Sequence, residues 1–250
     1  EYGRARRTAI ENAEAAVYKE KEIEETEVIF LMDRFGYART IDTAAYERNK
    51  EAADTENRFV FPCKNTGKVC LFTDSGQLYT IKVSDLPYGK FRDKGIPIDN
   101  VSNFNSEKEN ILFLTSQTEL NLRQVLFVTA QSMMKLVDGG EFDVSKRTVA
   151  ATKLGENDRV VCVMTLLEQR NIVLQTKEGY FLRFAIEEIP EKKKGAIGVR
   201  GMKLGAKDAV EKVYLIQNTV DTSITYKEKE VVLNHLKPAK RDGKGTKIRV

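Results

Sequence analysis

The chain has 250 residues, 41% of them hydrophobic, enough to bury one large core or two ordinary ones without disulfide staples. Its three cysteines, Cys63, Cys70 and Cys162, form no C-x-x-C pair, and the single His235 cannot complete a zinc set with them, so three buried reduced thiols are expected and a metal site is not. No apolar run approaches a membrane span and no hydrophobic signal segment opens the chain, which points to a soluble, cytoplasmic protein with no membrane partner.

The net charge of +4 is unevenly placed. Residues 1–27 hold eight acids and five bases and almost no large apolar side chains, so they read as a solvated helix or linker, and residues 28–250 carry +7. The chain opens on Glu1 within this charged stretch, the expectation for a fragment of something longer. After Glu27 short runs of Val, Ile, Phe and Leu alternate with turn residues, the pattern of an all-β fold, and no sustained helical periodicity is expected again.

The runs repeat. IFLMDRFGYARTI (29–41), VCLFTDSGQLYTI (69–81), VLFVTAQSMMKLV (125–137) and IVLQTKEGYFLRF (172–184) each give a strand, a short polar segment, then Gly36, Gly76, Ser132 or Gly179, and a second strand. The glycine supplies the positive φ of a tight hairpin, from which Ser132 departs. A further strand precedes most copies (RFVFPC, NILFLTS, RVVCVMTL), and AVEKVYLI with TYKEKEVVL reads as a weaker fifth hairpin. A second element recurs after the hairpins. Leu86, Ile189 and Leu236 each lie nine residues before a glycine, Gly95, Gly198 and Gly245, and FDVSKRTVAATKL (142–154) is a shorter copy with Thr148 at the glycine position.

The stretch IPEKKKGAIGVRGMKL (189–204) is one of these crossings. Its glycines lack the spacing of either nucleotide loop, and no helix follows to aim N–H groups at a phosphate, so they are read as permitting a tight crossing. Turn geometry does not require the bases. The charge is +4 over 189–204 and +5 over 236–250. In a ring of blades, equivalent loops occupy equivalent parts of the rim, and several basic loops on one curved surface are the footprint of a nucleic-acid backbone read by charge; a plain solvated rim competes. The candidate DNA contacts are Lys192, Lys193, Lys194, Arg200, Lys203, Lys237, Lys240, Arg241, Lys244 and Lys247, with Lys90, Arg92, Lys94, Lys146, Arg147 and Arg39 on the earlier repeats. Tyr37, Tyr79 and Tyr180 are read as packing between blades rather than as base-stacking platforms. No nucleophile motif or catalytic constellation is found.

The hairpin FGYARTI, the recurring crossing, the run EFDVSKRTVAATKL and the ending LKPAKRDGKGTKIRV, in this order, resemble the C-terminal domain of the A subunit of bacterial type IIA topoisomerases, DNA gyrase and topoisomerase IV. The resemblance covers about residues 28–250, and EYGRARRTAI is similar to the tail of the DNA-cleavage core, which makes residues 1–27 a linker. It implies an all-β pinwheel, a propeller-like ring of four-stranded blades that exchange strands, five by count with room for a sixth within 205–235. It also implies a basic outer rim that binds and bends duplex DNA, presenting a segment for strand passage. The cleavage tyrosine and ATP site would lie elsewhere. This part would then be non-catalytic and without a cofactor, within a nucleoid-associated A2B2 holoenzyme whose B subunits hydrolyse ATP with Mg. Gyrase carries a basic glycine motif of the form Q-R-R-G-G-K-G after the first hairpin; here Glu47, Arg48, Asn49, Lys50 and Glu51 stand at that place, with no glycine and a charge of −3 over 42–57. The departure favours a topoisomerase IV-like protein over a gyrase with a degenerate box. A propeller-like protein-interaction module is the competing expectation of another class, although no WD or kelch signature is present.

Overall fold

The computed structural model describes residues 24–248, so most of the linker expected over residues 1–27 lies outside them. Five antiparallel hairpins follow one another: Glu27–Asp33 with Tyr37–Asp42, Lys68–Thr73 with Gln77–Lys82, Gln124–Thr129 with Met133–Asp138, Asn171–Thr176 with Tyr180–Ala185, and Ser223–Tyr226 with Lys229–Val232. The repeat is kept to the residue: Ile29 faces Ile41, Val69 faces Ile81, Val125 faces Val137 and Ile172 faces Phe184. Gly36, Gly76 and Gly179 take φ of +85°, +77° and +84°, and Ser132 adopts the same left-handed conformation at +65°. Its buried hydroxyl accepts the Met202 amide at 2.8 Å, an interaction glycine could not make and one that offsets the backbone strain.

Each of the first four hairpins is completed by chain from the next repeat. Its first strand pairs with the strand that precedes the following hairpin, Asn57–Lys64, Ile111–Ser116, Val160–Thr165 or Val210–Ile216. Its second strand pairs with the crossing that comes after that hairpin, through Tyr88–Gly89 and Ile96–Pro97, Thr148–Ala150, Val199–Arg200 or Thr246–Lys247. The result is the strand exchange of a pinwheel. Among the described residues four sheets are complete and the fifth is a two-stranded hairpin, where five four-stranded blades were expected. AVEKVYLI does not form the fifth hairpin but completes the fourth blade as Val210–Ile216. It is an end strand, buried only at Val210 and Ile216, and its local pattern does not differ from that of a hairpin strand.

Strand alternation gives a blade two faces, each able to pack on a neighbour. Val69 and Leu71 pack with Val28, Phe30 and Met32 of the first blade, while Cys70 and Phe72 pack with Val125 and Phe127 of the third. Leu126 and Val128 then meet Ile172 and Leu174 of the fourth, and Val173 meets Tyr226 and Val231 of the last hairpin. The three thiols are buried in these seams, and burial pushes each up to about 12. The strands ending each blade on one side, 57–64, 111–116, 160–165 and 210–216, touch their counterparts in the next blade. Blades fan outward, so this side is the axis and the crossings form the outer edge.

The free face of the first blade, Ile29, Leu31 and Ile41, is covered by Ala45, Tyr46 and Ala53. These belong to two short helices, Thr43–Arg48 and Lys50–Glu56, in a stretch where no helical periodicity is expected. Asp42 caps the first by accepting the Ala44 and Ala45 amides at 2.8 and 3.3 Å, and Asn49, with φ of −126°, breaks the pair. With six or seven residues each and few apolar positions, they leave no periodicity to read in the sequence. At the centre of the seam between the second and third blades, Phe72 is fully buried against Phe113, Phe127 and Phe142. Phe72→Ala is expected to cost about 3–5 kcal/mol, read as a fall in the urea midpoint at unchanged slope.

Candidate nucleic-acid interface

The second crossing runs directly into its antiparallel pairing, with Thr80 N on Arg147 O at 3.0 Å beside Thr148 opposite Tyr79, and the other three share one path. Each enters beside the second strand of the preceding hairpin, as in Thr40 N to Pro87 O at 2.9 Å, Leu136 N to Pro190 O at 3.2 Å and Ala239 N to Arg183 O at 2.8 Å. It then loops out and returns antiparallel, with Ile96 opposite Ala38, Val199 opposite Met134 and Thr246 opposite Phe181. Gly198 marks the return: its φ is +102° and a Cβ there would stand 2.4 Å from Met134 O. The glycine is needed for the crossing, and no phosphate role is required to explain it. Lys90, Arg92, Lys94, Lys192, Lys193, Lys194, Lys240, Arg241 and Lys244 stand in the loops between entry and return, while Arg200 and Lys247 are on the returning strands themselves.

The Lys192–Lys194 loop is folded around a cation that was not among the candidates. Lys135, fully buried on the second strand of the third hairpin, donates from Nζ to Lys193 O at 3.1 Å, Lys194 O at 2.7 Å and Ala196 O at 2.7 Å. Three ammonium hydrogens thus meet three carbonyls. Burial pushes its pKa down to about 8 against the attraction of Glu141. Arg39, its counterpart on the first blade, is half-buried and reaches Phe91 O at 3.1 Å, the carbonyl equivalent to that of Lys194. Both side chains support their loops from within, so Arg39 is not an outward-facing base.

The other candidates divide in two. Lys193 is paired with Glu141 at 2.9 Å, and Lys194 gives its amide to the Glu141 carboxylate at 3.0 Å and its ammonium to Glu141 O at 2.8 Å. Partial burial works to raise the Glu141 pKa, but the Lys194 amide and the two ammonium groups outweigh it and hold the carboxyl below its ordinary value. Arg200 is paired with Asp242, and Arg241 is tied through its guanidinium to Glu188 O at 3.0 Å and Arg200 O at 2.6 Å, so the last two crossings are laced together. Arg147 lies 3.7 Å from Asp85, Lys203 is exposed with its amide on Gly243 O, and Lys244 and Lys247 stand over the Tyr180 ring at 5.6 and 5.3 Å. By contrast Lys90, Arg92, Lys94, Lys146, Lys192, Lys237 and Lys240 are exposed, with no side-chain partner among the described residues. They are spread over four successive crossings along one edge. Glu47, Arg48, Lys50 and Glu51 face solvent on the helical cap, with Asn49 half-buried between them.

Of the tyrosines, Tyr79 packs between blades as expected and Tyr180 is half-buried, but Tyr37 is 41% exposed. Among the described residues no helix is long and apolar enough to cross a membrane, and no group of three His, Cys, Asp or Glu side chains could hold a metal.

The model of the DNA gyrase C-terminal domain family, a β-propeller, matches residues 67–107, 123–165 and 170–217, more than half of the chain. The chain belongs to this family. The matched stretches begin at the second, third and fourth hairpins, so the family's repeat is the structural repeat. Among curated relatives, the A subunit of DNA gyrase from Lawsonia intracellularis is 28% identical over 211 residues, 80% of this chain and 26% of that protein. The A subunit of DNA gyrase from Helicobacter pylori (strain 26695) is 24% identical over 261 residues, 98% of this chain and 32% of that protein. The chain therefore spans about a quarter to a third of the relatives it matches. Among solved structures, the C-terminal domain of DNA topoisomerase IV superposes with a TM-score of 0.79 at 23% identity, covering 90% of this chain and 73% of that one. The E. coli ParC C-terminal domain gives 0.71 at 16%, covering 89% and 94%, and the DNA gyrase A C-terminal domain 0.57 at 17%, covering 88% and 76%. These likenesses show the β-pinwheel fold of the gyrase C-terminal family.

Sequence reasoning missed Lys135 and Glu141. The available signal for Lys135 was its place in MMKLVD, where a lysine interrupts an apolar strand; Glu141 left none, since its partners Lys193 and Lys194 belong to a loop far along the chain. Lys135→Met is expected to raise amide exchange over Lys192–Ala196 while the hairpin amides keep their protection, because three carbonyls lose their donor. The pKa of Lys135 is lower folded, about 8, than its ordinary 10.5, so between these values the unfolded chain binds more protons. Folding stability should therefore gain a favourable contribution as pH rises across that window, and Lys135→Met should remove it from the denaturation profile.

Proposed function

We propose that this chain is the DNA-binding and DNA-bending C-terminal part of the A subunit of a bacterial type IIA topoisomerase. The observation that carries it is the row of unpartnered cations, Lys90, Arg92, Lys94, Lys146, Lys192, Lys237 and Lys240, on four crossings at one edge. A duplex laid along that edge exchanges condensed counterions for fixed cations, and neutralising one side of it favours bending toward the protein. The charge of the crossings rises from +2 over 86–97 to +5 over 236–250, so the grip is firmest late in the chain. Arg200 and Arg241 fix the shape of the last two crossings. The cleavage chemistry belongs to the preceding part of the same polypeptide, and the Mg-dependent ATP hydrolysis to the B subunits of an A2B2 assembly in the bacterial cytoplasm; the DNA-binding part needs no cofactor.

Within this class we favour a topoisomerase IV-like protein that orients a segment for passage. The place of the gyrase box is taken by a helical cap with a charge of −3 over 42–57, whose apolar side is spent on the first blade. A gyrase with a degenerate box is the second reading, supported by the names of the curated relatives. Supercoiling of relaxed circles by the intact enzyme would select it; relaxation and decatenation alone select the first.

Neutralisation of about 5–8 phosphates gives a slope of log affinity against log salt of roughly −4.5 to −7. Replacing Lys192, Lys237 and Lys240 by alanine should reduce that slope by up to about three units across all sequences, with stability changes under ~0.5 kcal/mol each. A flat salt dependence of the parent would instead favour a protein-interaction module. Glu47→Lys with Glu51→Lys should tighten DNA binding without conferring supercoiling, since the glycines of the box are also missing.

A further inference from the structure

The exposed aromatic side chains among the described residues, Phe35, Tyr37 and Tyr88, all lie on the first blade. Phe35 is the extreme case at 87% exposure, and it stands at a hairpin tip in the position held by Ser75, Gln131 and Glu178 in the next three hairpins. The repeat therefore supplies three internal controls in which the position is polar. The Phe35 turn is also held: Asp33 Oδ1 accepts the Phe35 and Tyr37 amides at 2.8 and 3.0 Å, and the tip is joined to the returning crossing by Ile98 N on Gly36 O at 2.9 Å. Phe35 shares a surface hollow with Tyr37, Arg39 and Lys94 and with two carboxylates, Asp33 and Asp93, each engaged by backbone amides, Asp93 by Lys90 N at 2.7 Å; Arg34 stands beside it, exposed. A large apolar side chain on a braced turn, flanked by cations, matches what duplex-bending proteins insert between base pairs from the minor groove.

We propose that Phe35 is a wedge that partly unstacks one base step of the bound duplex, with Arg34 and Lys94 holding the flanking phosphates. The proposal rests on the DNA-binding function argued above and adds to it a contact to bases. It gives the blade with the acidic cap a way to bend DNA without a basic box.

The test uses the chain with a duplex carrying fluorophores at its ends, and the same duplex with a central mismatch, which lowers the cost of unstacking. The parent should bind the mismatched duplex roughly tenfold more tightly and bring the fluorophores closer together. Phe35→Ser, which installs the second hairpin's residue, should abolish the preference and reduce the bend while leaving the salt slope unchanged. Its thermal midpoint should match the parent, since the side chain is exposed; Phe35→Leu should keep the preference. A Phe35→Ser chain that keeps both preference and bend, or a parent with no preference, overturns the wedge and leaves DNA binding standing. A parent that shows no salt-dependent binding to either duplex overturns the DNA-binding function itself.

Discussion

Every β-hairpin has two edges of unpaired N–H and C=O groups, and here neither edge is satisfied by the repeat that owns it. The Tyr37–Asp42 strand finds its partners in residues 88–97, beyond the next hairpin, and Glu27–Asp33 finds its partner in Asn57–Lys64, just before it. A blade can close only when the following repeat has folded. The need to pair the outer edge compels a crossing on each blade, and on the first, third and fourth the crossing swings wide of the sheet between its entry and its return. The basic loops are that excursion. The surface best placed to meet a polyanion is thus a by-product of satisfying hydrogen bonds.

The polarity of the rim follows from what each crossing does with its charges. In the third blade three carbonyls turn inward to Lys135, and Glu141 holds two of the three loop lysines, so one tight loop is kept from flying apart under its own repulsion. In the fourth, Arg200, Asp242 and Arg241 clamp two crossings together and leave Lys237 and Lys240 free. Rigid cations and free cations thus stand side by side: the first set the shape of the edge, and the second face solvent. The first blade differs again, with its free face under a helical cap and with Phe35, Tyr37 and Tyr88 turned outward.

The hairpins were legible because their signals are local. Alternation and a turn residue of positive φ mark each copy, and Ser132 could be recognised as the departing member by position alone. The recurrence of Gly95, Gly198 and Gly245 nine residues after a common marker also gave the crossing. Which blade a strand completes is a non-local fact, so Val210–Ile216 was read as a hairpin strand when it serves the blade before. The helices at 43–56 were invisible because Ala45, Tyr46 and Ala53 are too few to set a period. Charge in a sequence does not distinguish Lys192, which is free, from Lys194, which is bound to Glu141, and Lys135 had the look of a solvent-facing residue while standing in the core.

The third crossing is hydrogen-bonded to one blade and covalently continuous with the next. Leu136 N meets Pro190 O and Lys192 N meets Leu136 O on the third blade, while the same chain runs on through Met202 into the strand at Val210 that completes the fourth. A pull on Lys192 therefore divides along two routes, one through the ladder and the Lys135 rivet, the other along the backbone into the neighbouring sheet. Load applied at any such loop is shared by adjacent blades, and the ring resists peeling as a woven edge does, each thread held by the one beside it.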